Sequence, residues 1–171
     1  VKQPKWESLN SILQSLTNVR LSFEKFHTPQ LQVPLYRREL FDVKHQLMGE
    51  ADDEAPTSNT ELEILMGETN EDVRKNVYEG GLKSWECSID LVDSLAASTN
   101  VQSFTTVLEL GCGTALPSEY LFLKYLQSGA FKGIRLVLSD YNESVLRLVT
   151  IPNLIISWAN AVLTPEEWEM L

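Results

Sequence analysis

The chain is expected to fold as an α/β domain on a doubly wound, mostly parallel sheet, with an N-terminal extension in front of it. Three observations carry that expectation. The apolar run of Val107-Leu108-Glu109-Leu110 breaks at Gly111-Cys112-Gly113-Thr114 and leads through Pro117 into a helical pattern. A second apolar run, Ile134 to Leu138, ends at Ser139-Asp140 ahead of another helical pattern. Strand and helix continue to alternate afterwards, as in parallel strands joined by crossover helices.

Taken in order, Leu9, Ile12, Leu13 and Leu16 recur at helical spacing between Trp6 and about Leu16, predicting a short amphipathic helix. Val19-Leu21-Phe23 alternates like a half-buried strand, and Val33-Pro34-Leu35-Tyr36 begins a second extended piece. Gly49 to Glu61 is nearly devoid of apolar side chains and rich in carboxylates, predicting a solvated loop. These segments fall in an extension spanning 1–76, and 77–171 carries the alternating pattern. Gly80-Gly81 gives a turn, Ser84 is the expected N-cap, and Trp85, Ile89, Val92 and Leu95 fall near one helical face. The strand Val107–Leu110 is followed by a helix from Pro117 to about Gln127, with Gly129 where a left-handed cap belongs. After the strand Ile134–Leu138 come a helix from Glu143 to Val149, a break at Pro152, and a third strand over Leu154–Trp158.

Composition narrows the functional classes. At 171 residues and 43% apolar content the chain can bury a substantial core. A net charge of -10 argues against a nucleic-acid surface and suits a basic protein partner. No uncharged apolar run reaches membrane-span length and no signal peptide pattern opens the chain, so no membrane association is expected. Cys87 and Cys112 lack metal-ligand companions, so they read as reduced intracellular thiols, and no metal is expected.

A strand, a glycine turn and a helix N-terminus place backbone amides at an open sheet edge, where a small polar ligand binds. A nicotinamide or flavin site would want a third glycine where Leu116 stands, and an acidic residue nearer than Asp140, 27 positions beyond Gly113. A phosphate-binding P-loop is excluded, because no Gly-Lys-Ser or Gly-Lys-Thr follows. S-adenosylmethionine needs only enough glycine for close backbone approach, and a carboxylate on the neighbouring strand for its ribose hydroxyls. Asp140 fits that role. The bland alternatives are an N-cap at Asp140 and an ordinary strand-to-helix turn at Gly111 and Gly113.

Glu109-Leu110-Gly111-Cys112-Gly113-Thr114 resembles motif I of the seven-strand S-adenosylmethionine methyltransferases. Tyr78 to Cys87 (YEGGLKSWEC) is similar to the segment preceding the sheet in the branch that methylates protein lysines and histidines. With Tyr36 to Val43 (YRRELFDV), residues 33 to 160 resemble the fungal-type protein-histidine methyltransferases acting on a large-subunit ribosomal protein. The resemblance implies a Rossmann-like fold, S-adenosylmethionine as donor, S-adenosylhomocysteine as product, a basic ribosomal protein as partner, and a place in cytoplasm and nucleus. It implies that Lys83, Ser84, Trp85 and Glu86 line the methionyl end while Gly111, Cys112 and Gly113 present backbone. Asp140 would hold the ribose, Tyr141 and Asn142 would lie beside adenine and ribose, and Trp158, Ala159 and Asn160 would border the adenine from the end of the third strand. Read without the resemblance, Trp85 is a packing residue on a helix face.

Rival readings are a protein-lysine methyltransferase of the same branch and a non-catalytic module binding cofactor or partner. Motif I alone also admits small-molecule and RNA methyltransferases. No catalytic base is assigned, since His27 and His45 both precede the cofactor segment. The alternating pattern stops after three strands, so the sheet is expected to be incomplete at Leu171 and the 171 residues alone weakly active or inactive.

Overall fold

A computed structural model describes residues 3–53, 80–98, 105–129 and 133–170. Near the N-terminus, α1 (Leu9–Ser15) is capped by Ser8, whose hydroxyl accepts from the Ser11 amide. It is shorter than the 6–16 expectation, and only Leu16 of its apolar stripe is buried. An antiparallel hairpin follows, β1 (Phe23–His27) with β2 (Pro34–Arg38), in a register running from Phe23 opposite Arg38 to His27 opposite Pro34. The first strand therefore starts where the Val19–Phe23 expectation ended. Pro34 and its neighbours match the second.

Next comes α2 (Leu40–Asp53), which the sequence reading did not anticipate and which occupies the start of the expected 49–61 loop. Val43 and Leu47 supply its buried stripe, and Glu50 is tied back to the body by a fork of bonds from the Arg147 guanidinium, at 2.6 and 3.0 Å. Those tertiary contacts carry the helix past Gly49. The rest of that loop, 54–61, lies outside the described residues, as do Tyr78 and Glu79.

The second half opens with α3 (Glu86–Ala97), then β3 (Thr106–Leu110), α4 (Leu116–Gln127) and β4 (Arg135–Ser139). Strands β3 and β4 pair in parallel, Thr106 opposite Arg135 through Leu110 opposite Ser139. The strand–helix–strand unit and the positive φ of Gly129 (63°) are as expected.

The final expectation fails. Leu154–Trp158 is not a strand but part of a continuous helical run over Glu143–Val162, made of α5 (Glu143–Val145), a π-helical turn (Leu146–Thr150) and α6 (Ile151–Val162). Pro152 does not end it. Proline has no N–H to offer the Leu148 carbonyl, and Arg38 Nη1 donates to that carbonyl instead, at 2.9 Å. A wider π turn immediately before the proline accommodates the ring. By length and composition this run could cross a bilayer, yet its buried Thr150, Asn153 and Ser157 all bond to other parts of the fold, as in a core helix. The last helix is α7 (Pro165–Glu169), with a Thr164–Glu167 capping box.

Two apolar clusters hold these elements together. One joins Val43 and Leu47 of α2 to Leu82, Val145, Leu148 and Val149. The other joins Leu35 of β2 to Val92 of α3 and to Leu116, Tyr120, Leu121 and Leu123 of α4. Each mixes residues from before 77 with residues after it, so the hairpin and α2 are packed into the body of the molecule. Two amides on one edge of β2 are also taken up by that body. Tyr36 N–H donates to Glu119 Oε1 at 2.9 Å and Arg38 N–H to Asn153 Oδ1 at 2.7 Å. An edge strand otherwise leaves such groups unpaired.

Candidate cofactor site

Three segments converge at the carboxyl end of the parallel pair: residues 80–84, the 111–115 turn and the 140–142 turn. The glycine turn begins while the ladder is still running, since Cys112 N–H donates to Ser139 O at 2.9 Å. Gly111 and Gly113 then take φ values of +63° and +48°, and Ala115 follows at +56°. A Cβ at Gly111 would meet no atom within 4 Å, whereas one at Gly113 would lie 3.2 Å from the Gly81 carbonyl oxygen. The left-handed backbone favours glycine at both positions, and close approach to the Gly81 carbonyl adds a steric reason at the second. Ala115 accepts the same conformation with a Cβ, its N–H closing a tight turn onto Cys112 O at 2.6 Å. The sequence pattern did not signal it.

Asp140 closes the site from the next strand. Its Oδ2 accepts from Gly113 N–H at 2.9 Å and its Oδ1 from Asn142 N–H at 3.2 Å. The carboxylate therefore faces the glycine turn across the sheet edge, and Asn142, not Asp140, occupies the N-cap position of α5. An ionised carboxylate has about four acceptor sites, so two such bonds leave room for hydroxyl donors. Gly81 fits beneath it: a Cβ there would fall 2.9 Å from both methyls of Val145 and 3.3 Å from Asp140 Oδ1.

The 80–86 segment is held to this turn from the other side. Ser84 Oγ lies 3.2 Å from Thr114 Oγ1, and Ser84 does not cap α3, because the helix begins at Glu86 and Trp85 stands at the N-cap without a side-chain cap bond. Trp85 is 44% exposed, and its indole N–H donates to Gly80 O at 2.9 Å. It is no helix-face core residue. Lys83 and Glu86 are exposed beside it, and Tyr141 is exposed next to Asp140. Trp158, Ala159 and Asn160 stand apart. They lie on α6 and not at the end of a strand, about 7–10 Å of helix rise beyond Asn153. The topology that would have brought them to the adenine is absent among the described residues.

Burial pushes the Cys112 thiol up to about 12, helped by the carboxylates of Asp140 and Glu109 and opposed by its hydrogen-bond contact with the Thr150 hydroxyl. It is a protonated packing group and not a nucleophile. Glu109, the next-to-last residue of β3, is raised by burial but accepts from the amide and hydroxyl of Ser118, fixing the first turn of α4 against the strand. Two further polar residues escaped the sequence reading. Thr150 Oγ1 donates to Gly113 O at 2.6 Å, and Asn153 Nδ2 to Thr114 O at 2.8 Å. Both were hidden by the mistaken break at Pro152. His27 and His45 are exposed on β1 and α2.

Against known proteins, the whole chain aligns at 58% identity with histidine protein methyltransferase 1 of Saccharomyces cerevisiae, covering 46% of that protein. The Schizosaccharomyces pombe protein of the same name is 44% identical over 71% of this chain and 34% of its own length. A homologue so named in Dictyostelium discoideum is 39% identical over 57% of the chain. Over its described strand, glycine turn and helix, this sequence is thus similar to proteins named histidine protein methyltransferase. It spans about half the length, or less, of these relatives. No protein-family profile and no solved structure matches it.

Proposed function

We propose that these residues form the donor-binding half of an S-adenosylmethionine-dependent protein methyltransferase that acts on a histidine side chain. The observation that carries the reading is the meeting of a left-handed glycine turn with Asp140, in a sequence 58% identical to a histidine protein methyltransferase. Bound at this edge, S-adenosylmethionine supplies the methyl group from its sulfonium. The chain's own task is binding and orientation. Asp140, held by Gly113 and Asn142, accepts the ribose hydroxyls, and charge-assisted bonds of this kind contribute about 1.5–3 kcal/mol each. Gly111, Cys112 and Gly113 present main chain to the nucleoside, and Tyr141 and Asn142 flank the ribose and adenine. Lys83, Ser84, Trp85 and Glu86 border the methionyl end, with the exposed indole excluding water from the transfer.

A histidine acceptor has an ordinary pKa near 6.5 and is largely neutral at cellular pH, so alignment and not deprotonation is the main demand, and proximity supplies up to about 7–11 kcal/mol. A lysine acceptor, near 10.4, would first have to lose a proton. The proposed acceptor protein is a basic ribosomal protein of the large subunit, met in the cytoplasm and nucleus, and the net charge of -10 favours a basic partner. Tandem mass spectrometry after incubation of the full-length protein with labelled donor and ribosomal protein tests the reaction: the methyl is expected on an imidazole, and a methyl on an amine would make it a lysine enzyme. Calorimetry with S-adenosylhomocysteine tests the site. Gly111→Arg is expected to abolish binding and Asp140→Ala to weaken it by a few kcal/mol; unchanged affinity in both places the ligand elsewhere.

A further inference from the structure

Asn153 does two things at once from a fully buried position, at 1% exposure. Its Nδ2 donates to the carbonyl of Thr114 in the glycine turn, and its Oδ1 accepts the outward amide of Arg38 at the end of β2. Neither bond is available to an apolar side chain of the same volume. Thr150, one helical turn earlier, holds the adjacent Gly113 carbonyl. Both carbonyls of the turn that follow Cys112 are therefore anchored by the single helical run over 143–162, and that run is itself anchored on the hairpin through Arg38.

We propose that Asn153 is a positioning residue for the cofactor turn, and that through it the N-terminal hairpin sets the conformation in which the turn receives its ligand. The proposal deepens the reading of this edge as a nucleoside site and rests on it. Gly113 and Ala115 sit in left-handed conformations on either side of Thr114, and left-handed backbone persists only where surrounding bonds over-determine it. The Thr114 carbonyl fixed by Asn153 shares its peptide plane with the Ala115 N–H, which bonds Cys112 O, and the Cys112 carbonyl shares its plane with the Gly113 N–H directed at Asp140. Releasing that carbonyl lets the turn relax, and ligand binding must then re-order it. The bond from Arg38 orients the Asn153 amide group, because only with the oxygen toward β2 does the nitrogen face Thr114.

The test compares two variants of the full-length protein by calorimetry with S-adenosylhomocysteine, thermal unfolding, and hydrogen exchange of a peptide covering 111–115. Asn153→Leu removes both bonds. Ser157→Ala removes a bond of the same kind, from Ser157 Oγ to Glu119 Oε1 at 2.7 Å, one turn further from the glycine turn. Asn153→Leu is expected to raise Kd about tenfold and to speed exchange at 111–115. Ser157→Ala is expected to lower the unfolding temperature while Kd stays within about twofold and exchange at the turn is unchanged. An unaltered Kd in Asn153→Leu, or equal weakening in both variants, overturns the positioning role. Absence of binding by the natural protein overturns the site reading first and this inference with it.

Discussion

At the residue scale, the group most at odds with its surroundings is Glu119. Its side chain is completely buried, Oε1 accepts from the Tyr36 amide and the Ser157 hydroxyl, and Oε2 meets no hydrogen-bond partner among the described residues. Burial raises its pKa to about 8, against the lowering effect of those two bonds. The folded protein thus holds a proton here that the unfolded chain releases above the ordinary carboxylate range. Stability is therefore complete below the unfolded pKa of about 4.5 and falls as pH rises toward the folded value, by on the order of 3 kcal/mol up to pH 7. Glu119→Gln keeps the acceptor and removes the titration. Urea unfolding at pH 5 and pH 8 should show a marked loss for the natural protein and a flatter response for the variant. Equal losses in both would place the proton elsewhere.

At the element scale, the hairpin loop after β1 depends on one carboxylate from α3. Asp93 accepts from the Thr28 hydroxyl and from the Gln30 and Leu31 amides, ordering a turn that has little apolar content of its own. Burial alone would raise its pKa, but the Thr28 hydroxyl and the two amides outweigh burial and hold the carboxyl below its usual range. That sign is opposite to Glu119: the stabilisation is present above the unfolded pKa and is lost as pH falls through the depressed one, below about pH 4. Asp93→Asn puts an amide nitrogen where a second acceptor is needed. Thermal unfolding should drop for the variant at pH 7, and the gap should narrow at pH 3; a constant gap would mean that packing and not the ionised carboxylate matters.

The strand β3, the glycine turn and α4 are specified locally, by alternation, by residues that tolerate positive φ, and by Pro117 in the first helical turn, so they stand where expected. Leu154–Trp158 is a five-residue apolar run, and such runs carry no period that separates strand from buried helix. Pro152 just ahead of it favours a break on sequence grounds. What keeps the helix going is Arg38, more than a hundred residues earlier, which satisfies the carbonyl that proline cannot. The helix α2 does carry a local signal, Leu40, Val43 and Leu47 at i, i+3 and i+7, and only its continuation past Gly49 leans on the distant Arg147.

At the scale of the whole molecule, the question is whether the N-terminal 53 residues behave as an appendage or as part of one folding unit. Leu35 is fully buried among α3 and α4, Val43 and Leu47 are buried against the π turn, and Tyr36 and Arg38 give their amides to Glu119 and Asn153. Removing a side chain such as Leu35 from that interface should destabilise by about 2–5 kcal/mol, with the loss felt on both sides. Tryptophans report on each side separately. Trp168 packs against the rings of Phe23 and Tyr36, with centroids 5.0 and 5.5 Å away, and Trp85 folds over Gly80 beside the glycine turn. Variants that keep Trp168 alone or Trp85 alone should therefore unfold in urea with the same midpoint, and Leu35→Ala should shift both midpoints together, as a single cooperative transition requires. Two separate midpoints, or a Leu35→Ala shift seen only by Trp168, would show that the hairpin is an independent unit. The glycine turn would then have to hold its left-handed residues without it.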